Sequence, residues 1–379
     1  DDTQYPSITT CPVSRNIEGC VTADISSPAY STTWAVSSYS VFSSAPNNGV
    51  ASDACGIVSV TYKDVASGSC PITVTRTWKL KDACGNEVTC DQTITVDDTQ
   101  EPNISTCPVT RNIEGCDVSA VNNPSYSTTL ANSSVAEFED MPNFGVASDN
   151  CGIVSVQYKD VASGTCPPIV TRKWYLTDAC GNVDSCTQTI SVDDTTPPNL
   201  TCPNNITVSN ATGVCGATVN FAANASDACG TPNISYSKNP NTFFNVGTTT
   251  VYVTATDACG NPSYCNFTVT VNDTTKPTVI TKPKTLYLNT LGQAALLVTH
   301  VNNGSFDNCG IVSYSLSKTS FNCSNLGVNI VTLTATDAAG NVGSSTATVT
   351  VLDTLKPVAK CKNITVDLVG GSKTITASQ

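Results

Sequence analysis

Aspartate and cysteine are the two residue types that recur at spacings able to do chemistry. Aspartates sit in three phrases: a linker Asp-Thr, a first loop Asp-x-Cys-Gly, and a second loop Asp-Ala-(Cys/Ala)-Gly-Asn. They fall into sets: Asp1, Asp2, Asp53, Asp82; Asp97, Asp98, Asp149, Asp178; Asp193, Asp194, Asp227, Asp257; and, thinner, Asp273, Asp307, Asp337. Three or four carboxylates meeting at one place repel unless a cation joins them, and hard oxygen ligands on loops suit calcium. Aspartate beside glycine or asparagine is equally a turn former, and Asp-Thr-x-x-Pro is a sound linker without metal. Both readings stand at this level: a bound calcium cofactor, or turns alone.

The chain has 379 residues, of which twenty are cysteine and only 13% are charged. Cysteine at that density in a charge-poor chain points to disulfides and an oxidising, extracellular compartment. Zinc is a poor fit, because structural sites need four thiolate or imidazole ligands, Cys84 and Cys90 are too widely spaced, and His300 is the sole histidine. That lone histidine, the lack of a nucleophile motif, and carboxylates repeated rather than collected all argue against an enzyme. His300 itself reads as a strand or turn residue. A net charge of -12 argues against nucleic acid or an anionic membrane as partner. No apolar run is long enough to span a bilayer, and no charged-then-apolar leader opens the chain, so insertion in a membrane is not expected of this segment.

The elements that position these residues are repeats. Thr10–Cys20 (TCPVSRNIEGC) returns as Thr106–Cys116 (TCPVTRNIEGC), and the Ser52 phrase returns at Ser148, both with an offset of 96 residues. Linker phrases begin at Asp98, Asp194, Asp273 and Asp353, giving repeats 1–96, 97–192, 193–271 and 272–351 and the start of a fifth at 352–379. The pattern suggests an excerpt from a longer array. Within a repeat the period is two, as in Thr249–Thr256 and Phe267–Val271, with Gly/Asn turns between strands. The fold class expected is all-β: tandem immunoglobulin-like sandwiches with no helical stretch, and with Trp78 and Trp174 inward on the penultimate strand.

Cys202-Pro203 to Val208, Cys215 to Val219, the Asp-x-Cys-Gly and Gly-Thr-x-x-Val phrases, and Cys265 to Val271 together resemble the hyalin repeat, or HYR domain. Repeat three matches nearly end to end. Repeats one and two add an insertion between Cys20 and Ser52, and between Cys116 and Ser148. Tandem arrays with such linkers are most similar to giant cell-surface adhesins of gliding Bacteroidetes, of the SprB type, exported by the type IX system. Cadherins follow a related logic, in which linker and top-loop acids share calcium.

Placing the cysteines on such a sandwich sorts them into a top end (first residues, first loop, last hairpin turn) and a bottom end. Partners within 7 Å or so are then sought inside each repeat. The expected pairs are Cys11–Cys90, Cys20–Cys70, Cys55–Cys84, Cys107–Cys186, Cys116–Cys166, Cys151–Cys180, Cys202–Cys265, Cys229–Cys259 and Cys309–Cys323. Cys215 is left over, and Cys361 has its partner elsewhere. The resemblance implies a stalk segment of a cell-surface adhesin, stiffened at its junctions by calcium. It would meet surface glycans or proteins through other parts of the full chain, or sister stalks. The alternative is a glycan- or protein-binding module acting through the insertions, which carry Tyr30, Trp34, Tyr39 and Phe42 in repeat one and Tyr126, Phe138, Met141 and Phe144 in repeat two, and whose tips differ more than the flanking sequence.

Overall fold

The computed structural model describes residues 3–361, 363–366, 370 and 371. Asp1 and Asp2 lie outside them, as does much of the proposed fifth repeat. The chain packs as two compact units: Asp1–Pro198 with Ser226–Asn233 and Thr256–Pro262, and Asn199–Ala225 with Ile234–Ala255 and Ser263–Gln379.

The first unit shows the plan most fully. Its first repeat runs β1 (Ser7–Thr10), β2 (Arg15–Glu18), β3 (Ala35–Ser37), α1 (Tyr39–Ser43), β4 (Val50–Ser52), β5 (Ile57–Ser67), β6 (Ile72–Asp82) and β7 (Glu87–Asp97). One sheet has the order β2-β7-β6-β5-β3, and β1 pairs with β4 in a second. β2 runs parallel to the end of β7, with Glu18 opposite Asp97. This brings the start of the repeat to the residue from which the next one leaves. The second repeat repeats the order strand for strand. The alternation of β6 is the alternation of its burial: Val74, Arg76, Trp78, Leu80 and Asp82 are buried, and their neighbours are less so. Trp78 and Trp174 are fully enclosed, as their inward register requires.

In the second unit the same pairings recur without the insertion. Ile206–Ser209 runs parallel to Pro262–Asn272, and Lys284–Tyr287 parallel to Val342–Leu352. Phe244, Val251, Val269 and Val271 fill one core, and Phe321, Val331, Val349 and Val351 the other.

Two details correct the sequence reading. Short helices do occur, at Tyr39–Ser43, Val135–Glu139 and Val298–Val301. The last contains His300, whose Nδ1 accepts from the Leu297 amide at 3.2 Å, so this histidine caps a helical turn. The insertions, moreover, contribute residues to the core. Phe42 and Phe138 are fully buried and meet Trp78 and Trp174 edge to face at 5.4 Å. Trp78 Nε1 donates to Gln92 Oε1 (3.0 Å), Gln92 Nε2 to Asn47 Oδ1 (3.1 Å), and Asn47 Nδ2 to the Val41 and Ser27 carbonyls. A buried polar chain with its donors placed in this way fixes one packing of the insertion on the sheet.

A buried ion pair spans the same region in each long repeat. Arg172 Nε and Nη2 each donate to Asp160 at 2.8 Å, and the guanidinium stacks 4.4 Å above the Tyr158 ring. Asp64 and Arg76 repeat the arrangement. Both members are fully enclosed, so removing one strands the other charge. Asp160→Ala should cost about 3–5 kcal/mol, whereas replacing Asp160 and Arg172 together by leucine and methionine should be close to neutral. Thermal unfolding of the two variants checks this, and equal losses would contradict it.

Candidate junction sites

The loops that carry the Asp-Cys-Gly phrases are shaped by their own aspartates. Asp178 Oδ1 accepts from the amides of Cys180, Gly181 and Asn182 at 2.7 to 2.9 Å, and its Oδ2 from Asn182 Nδ2 at 2.8 Å. Gly181, at φ +94°, supplies the left-handed residue this tight turn requires. Asp82, Asp257 and Asp337 bind their own turns through the same asparagine position. Burial alone would push the Asp82, Asp178 and Asp257 carboxyls up, but these hydrogen bonds hold them below the usual range. The asparagine then reaches the linker: Asn182 Nδ2 donates to the Asp98 carbonyl (2.8 Å), Asn261 to that of Asp194 (2.7 Å), and Asn341 to that of Asp273 (3.1 Å). Second-loop aspartates therefore hold turns and position the linker.

The linker aspartates differ. Asp98, Asp194 and Asp273 form Asx turns through Oδ1, which accepts from the amides of Gln100, Thr196 and Thr275. They are 2%, 3% and 7% exposed, so the junction nearly encloses them. Burial, then the neighbouring carboxyls, push Asp98 and Asp194 above the usual carboxylate range. First-loop aspartates stand beside them: Asp194 and Asp227, and likewise Asp273 and Asp307, place carboxylate oxygens within 4.8 Å of each other. Asp97 and Asp193 do not join this group. Strand alternation turns them the other way, beside Cys70 and Cys180 and beside Cys166 and Cys259. Asp53 holds its own loop by accepting from the Cys55 amide at 2.8 Å.

Sequence reasoning missed Glu18 and Glu114. Glu18 accepts from the amide and hydroxyl of Thr99 at 2.9 and 2.8 Å, and Glu114 does the same for Thr195. The signal was present in the identical Arg-Asn-Ile-Glu-Gly-Cys of both repeats. At the third junction Asn210 takes this place, accepting from the Thr274 amide at 3.0 Å.

The cysteines close the junctions, and here the expected pairing needs correction. The structure bonds Cys20 to Cys151, Cys70 to Cys180, Cys116 to Cys229, Cys166 to Cys259 and Cys215 to Cys309, with Cα separations of 5.2, 5.1, 4.8, 5.1 and 4.8 Å. Each joins the bottom of one repeat to a top loop of the next. Cys20–Cys70, Cys116–Cys166, Cys151–Cys180, Cys229–Cys259 and Cys309–Cys323 are therefore not formed. Cys84 stays a thiol, so Cys55–Cys84 is not formed either. The physical reason is proximity: with a few linker residues between β7 and the next strand, the nearest sulfur to a bottom cysteine belongs to the following repeat. A count could have revealed it, because bottom cysteines number two, two and one in repeats one to three, and top-loop cysteines two, two and one in repeats two to four. Cys202 and Cys265 are bonded within repeat three, at 6.0 Å between Cα atoms. Cys11 and Cys90, and Cys107 and Cys186, face each other as thiols; burial and the adjacent thiol push Cys90 and Cys186 up.

Known proteins resemble parts of this chain. Residues 193–271 match the HYR domain family. The chain is 36% identical over 137 residues to hyalin of Strongylocentrotus purpuratus and 35% identical over 146 residues to hyalin of Lytechinus variegatus. These matches cover 34% and 37% of this chain but only 11% and 27% of the two hyalins. Among solved structures, Sidekick-1 immunoglobulin domains 1–5 align over 92% of this chain and 81% of that one, at 11% identity and a TM-score of 0.29. The protocadherin γB4 extracellular domain aligns over 93% and 67%, at 11% identity and a TM-score of 0.32. The likeness to both concerns the fold alone.

A non-reducing peptide map should join the Cys20 peptide to that of Cys151 and the Cys70 peptide to that of Cys180. Recovery of Cys20 with Cys70 would overturn the junction pairing. Asp178→Ala should lower the thermal midpoint, corresponding to a loss of roughly 2 kcal/mol of stability from the charged hydrogen bonds. Because the folded pKa of Asp178 is depressed, its contribution is present above the unfolded value and is lost as pH falls through the folded one. The variant's midpoint should therefore fall less steeply on acidification than that of the parent chain.

Proposed function

We propose that this chain is a structural segment of an extracellular, adhesion-type repeat protein, a stalk whose neighbouring sandwiches are locked to each other covalently. The observation that carries this reading is the set of disulfides running from each repeat to the next. Bonds inside a domain stabilise that domain; bonds across a junction restrict how two domains move. Each closes 93 to 131 residues of chain, worth roughly 4–5 kcal/mol through the entropy of the unfolded state. Such bonds persist only in an oxidising compartment, which supports a place outside the cell. The HYR domain and the hyalin similarity support the adhesion-type reading.

Calcium at the junctions, and partners on surfaces met by other parts of a longer chain, are the finer parts of this proposal. A cell-surface position for the stalk, with export by the type IX system, belongs to the same proposal and draws on the resemblance to gliding adhesins alone. Among the described residues no helix is long and apolar enough to cross a membrane. Catalysis finds little support, since the acidic groups recur at successive junctions and several of them hold turns. The insertions as a recognition surface keep Trp34, Tyr39, Met141 and Phe144 as exposed aromatic or sulfur-bearing side chains.

Small-angle scattering of the oxidised chain should give an extended particle with a narrow range of dimensions. Reduction, or Cys20→Ser with Cys70→Ser, should broaden that range while the sandwiches keep their far-ultraviolet signature. A compact oxidised particle, or no change on reduction, would overturn the stalk.

A further inference from the structure

We propose that each inter-repeat junction is a divalent-cation site of the calcium class, built from the linker aspartate and the first-loop aspartate, with Glu18 or Glu114 of the preceding repeat as a third carboxylate at two of the three. This deepens the stalk reading and takes its consequence, stiffening, from it.

What points to a ligand is a recurrent set of enclosed oxygens with nothing to bind. Asp98 spends Oδ1 on the Gln100 amide (3.2 Å) and Asn150 Nδ2 (3.3 Å), while its Oδ2 is buried with no hydrogen-bond partner. Asp149 spends Oδ1 on the Cys151 amide, and its Oδ2 is stranded too. At the second junction the stranded atom is Asp194 Oδ2, and at the third they are Asp273 Oδ2, Asp307 Oδ1 and Asn308 Oδ1. An isolated case could be local strain. Recurrence of the stranded linker aspartate at all three junctions, joined by the first-loop aspartate at the first and third, indicates a common requirement.

The donor chemistry selects the ion. Buried carboxylate oxygens without a donor are strongly disfavoured unless a charge compensates them. No lysine or arginine forms a salt bridge with these groups among the described residues. The neighbouring sulfurs, such as Cys20 and Cys151 beside Asp98, are tied up in disulfides and offer no thiolate, so the site is one of oxygen ligands. Hard oxygen donors on loops favour calcium over zinc or copper. Glu18 contacts the Asp98 carboxyl and Glu114 that of Asp194, adding negative charge. Asn210 stands in their place at the third junction, so that site carries one charge less and should bind more weakly.

The test is calcium titration of the whole chain, stripped with chelator, by calorimetry at pH 7, with terbium luminescence as a second reading. Three sites are expected, two tighter and one weaker, and millimolar calcium should raise the thermal midpoint. Asp98→Asn should remove one tight site or weaken it at least tenfold, and Asp273→Asn should remove the weak one. Asp91→Asn, on an exposed strand position, should change nothing. If Asp98→Asn does not fold, Asp149→Asn reads the same site from the other side of the junction. Absence of both heat and a shift in the midpoint would overturn the proposal, and would assign the paired oxygens to a shared proton. Full stoichiometry in the aspartate variants would overturn it equally. The disulfide map and the scattering of the calcium-free chain report on the stalk separately, so failure of the cation site and failure of the stalk are distinguishable.

Discussion

The junction disulfide is the constraint on which the other features depend. A bottom cysteine bonded to a top-loop cysteine of the next repeat holds Cα atoms about 5 Å apart across a linker of a few residues. With two such bonds at each of the first two junctions, the loops close over the linker from both sides. That closure is why Asp98 and Asp194 are buried although they lie in a polar, proline-bearing connector that would otherwise be solvated.

Within this frame the aspartates divide by position. Second-loop aspartates fill both oxygens with donors from a five-residue turn, and the asparagine ending that turn carries the order on to the linker carbonyl. First-loop aspartates fill one oxygen with the amide of the bonded cysteine and present the other to the linker. The same residue type thus serves as a turn former in one loop and as an unsaturated carboxylate in the other. What separates the roles is the asparagine: Asp-Ala-(Cys/Ala)-Gly-Asn provides a side-chain donor four residues on, and the first-loop phrase, which has Ile or Thr there, has no such asparagine.

The insertions show how a segment that varies at its tip can be conservative at its base. Phe42 and Phe138 supply core volume against the tryptophans, and the Asn–Gln–Trp chain fixes where each insertion lies. Among the tip positions that differ are Ala45 against Met141 and Asn48 against Phe144, both outside that chain. Packing limits the first group and leaves the second free to change.

Much of the fold was legible in the sequence by itself. Alternation with period two, glycine turns and a 96-residue offset are local patterns, and sandwiches with inward Trp78 and Trp174 follow from burying one face of each strand. The sorting of cysteines by end was legible for the same reason, since it needs only strand direction. Which sulfur meets which was decided by the tertiary structure, because a short linker brings two ends together that lie 93 to 131 residues apart in sequence. The same closure left one oxygen each of Asp98 and Asp149 buried without a donor, and turn geometry claimed both oxygens of Asp178. Composition says that carboxylates are present, but only packing determines which of their oxygens lose water without gaining a donor.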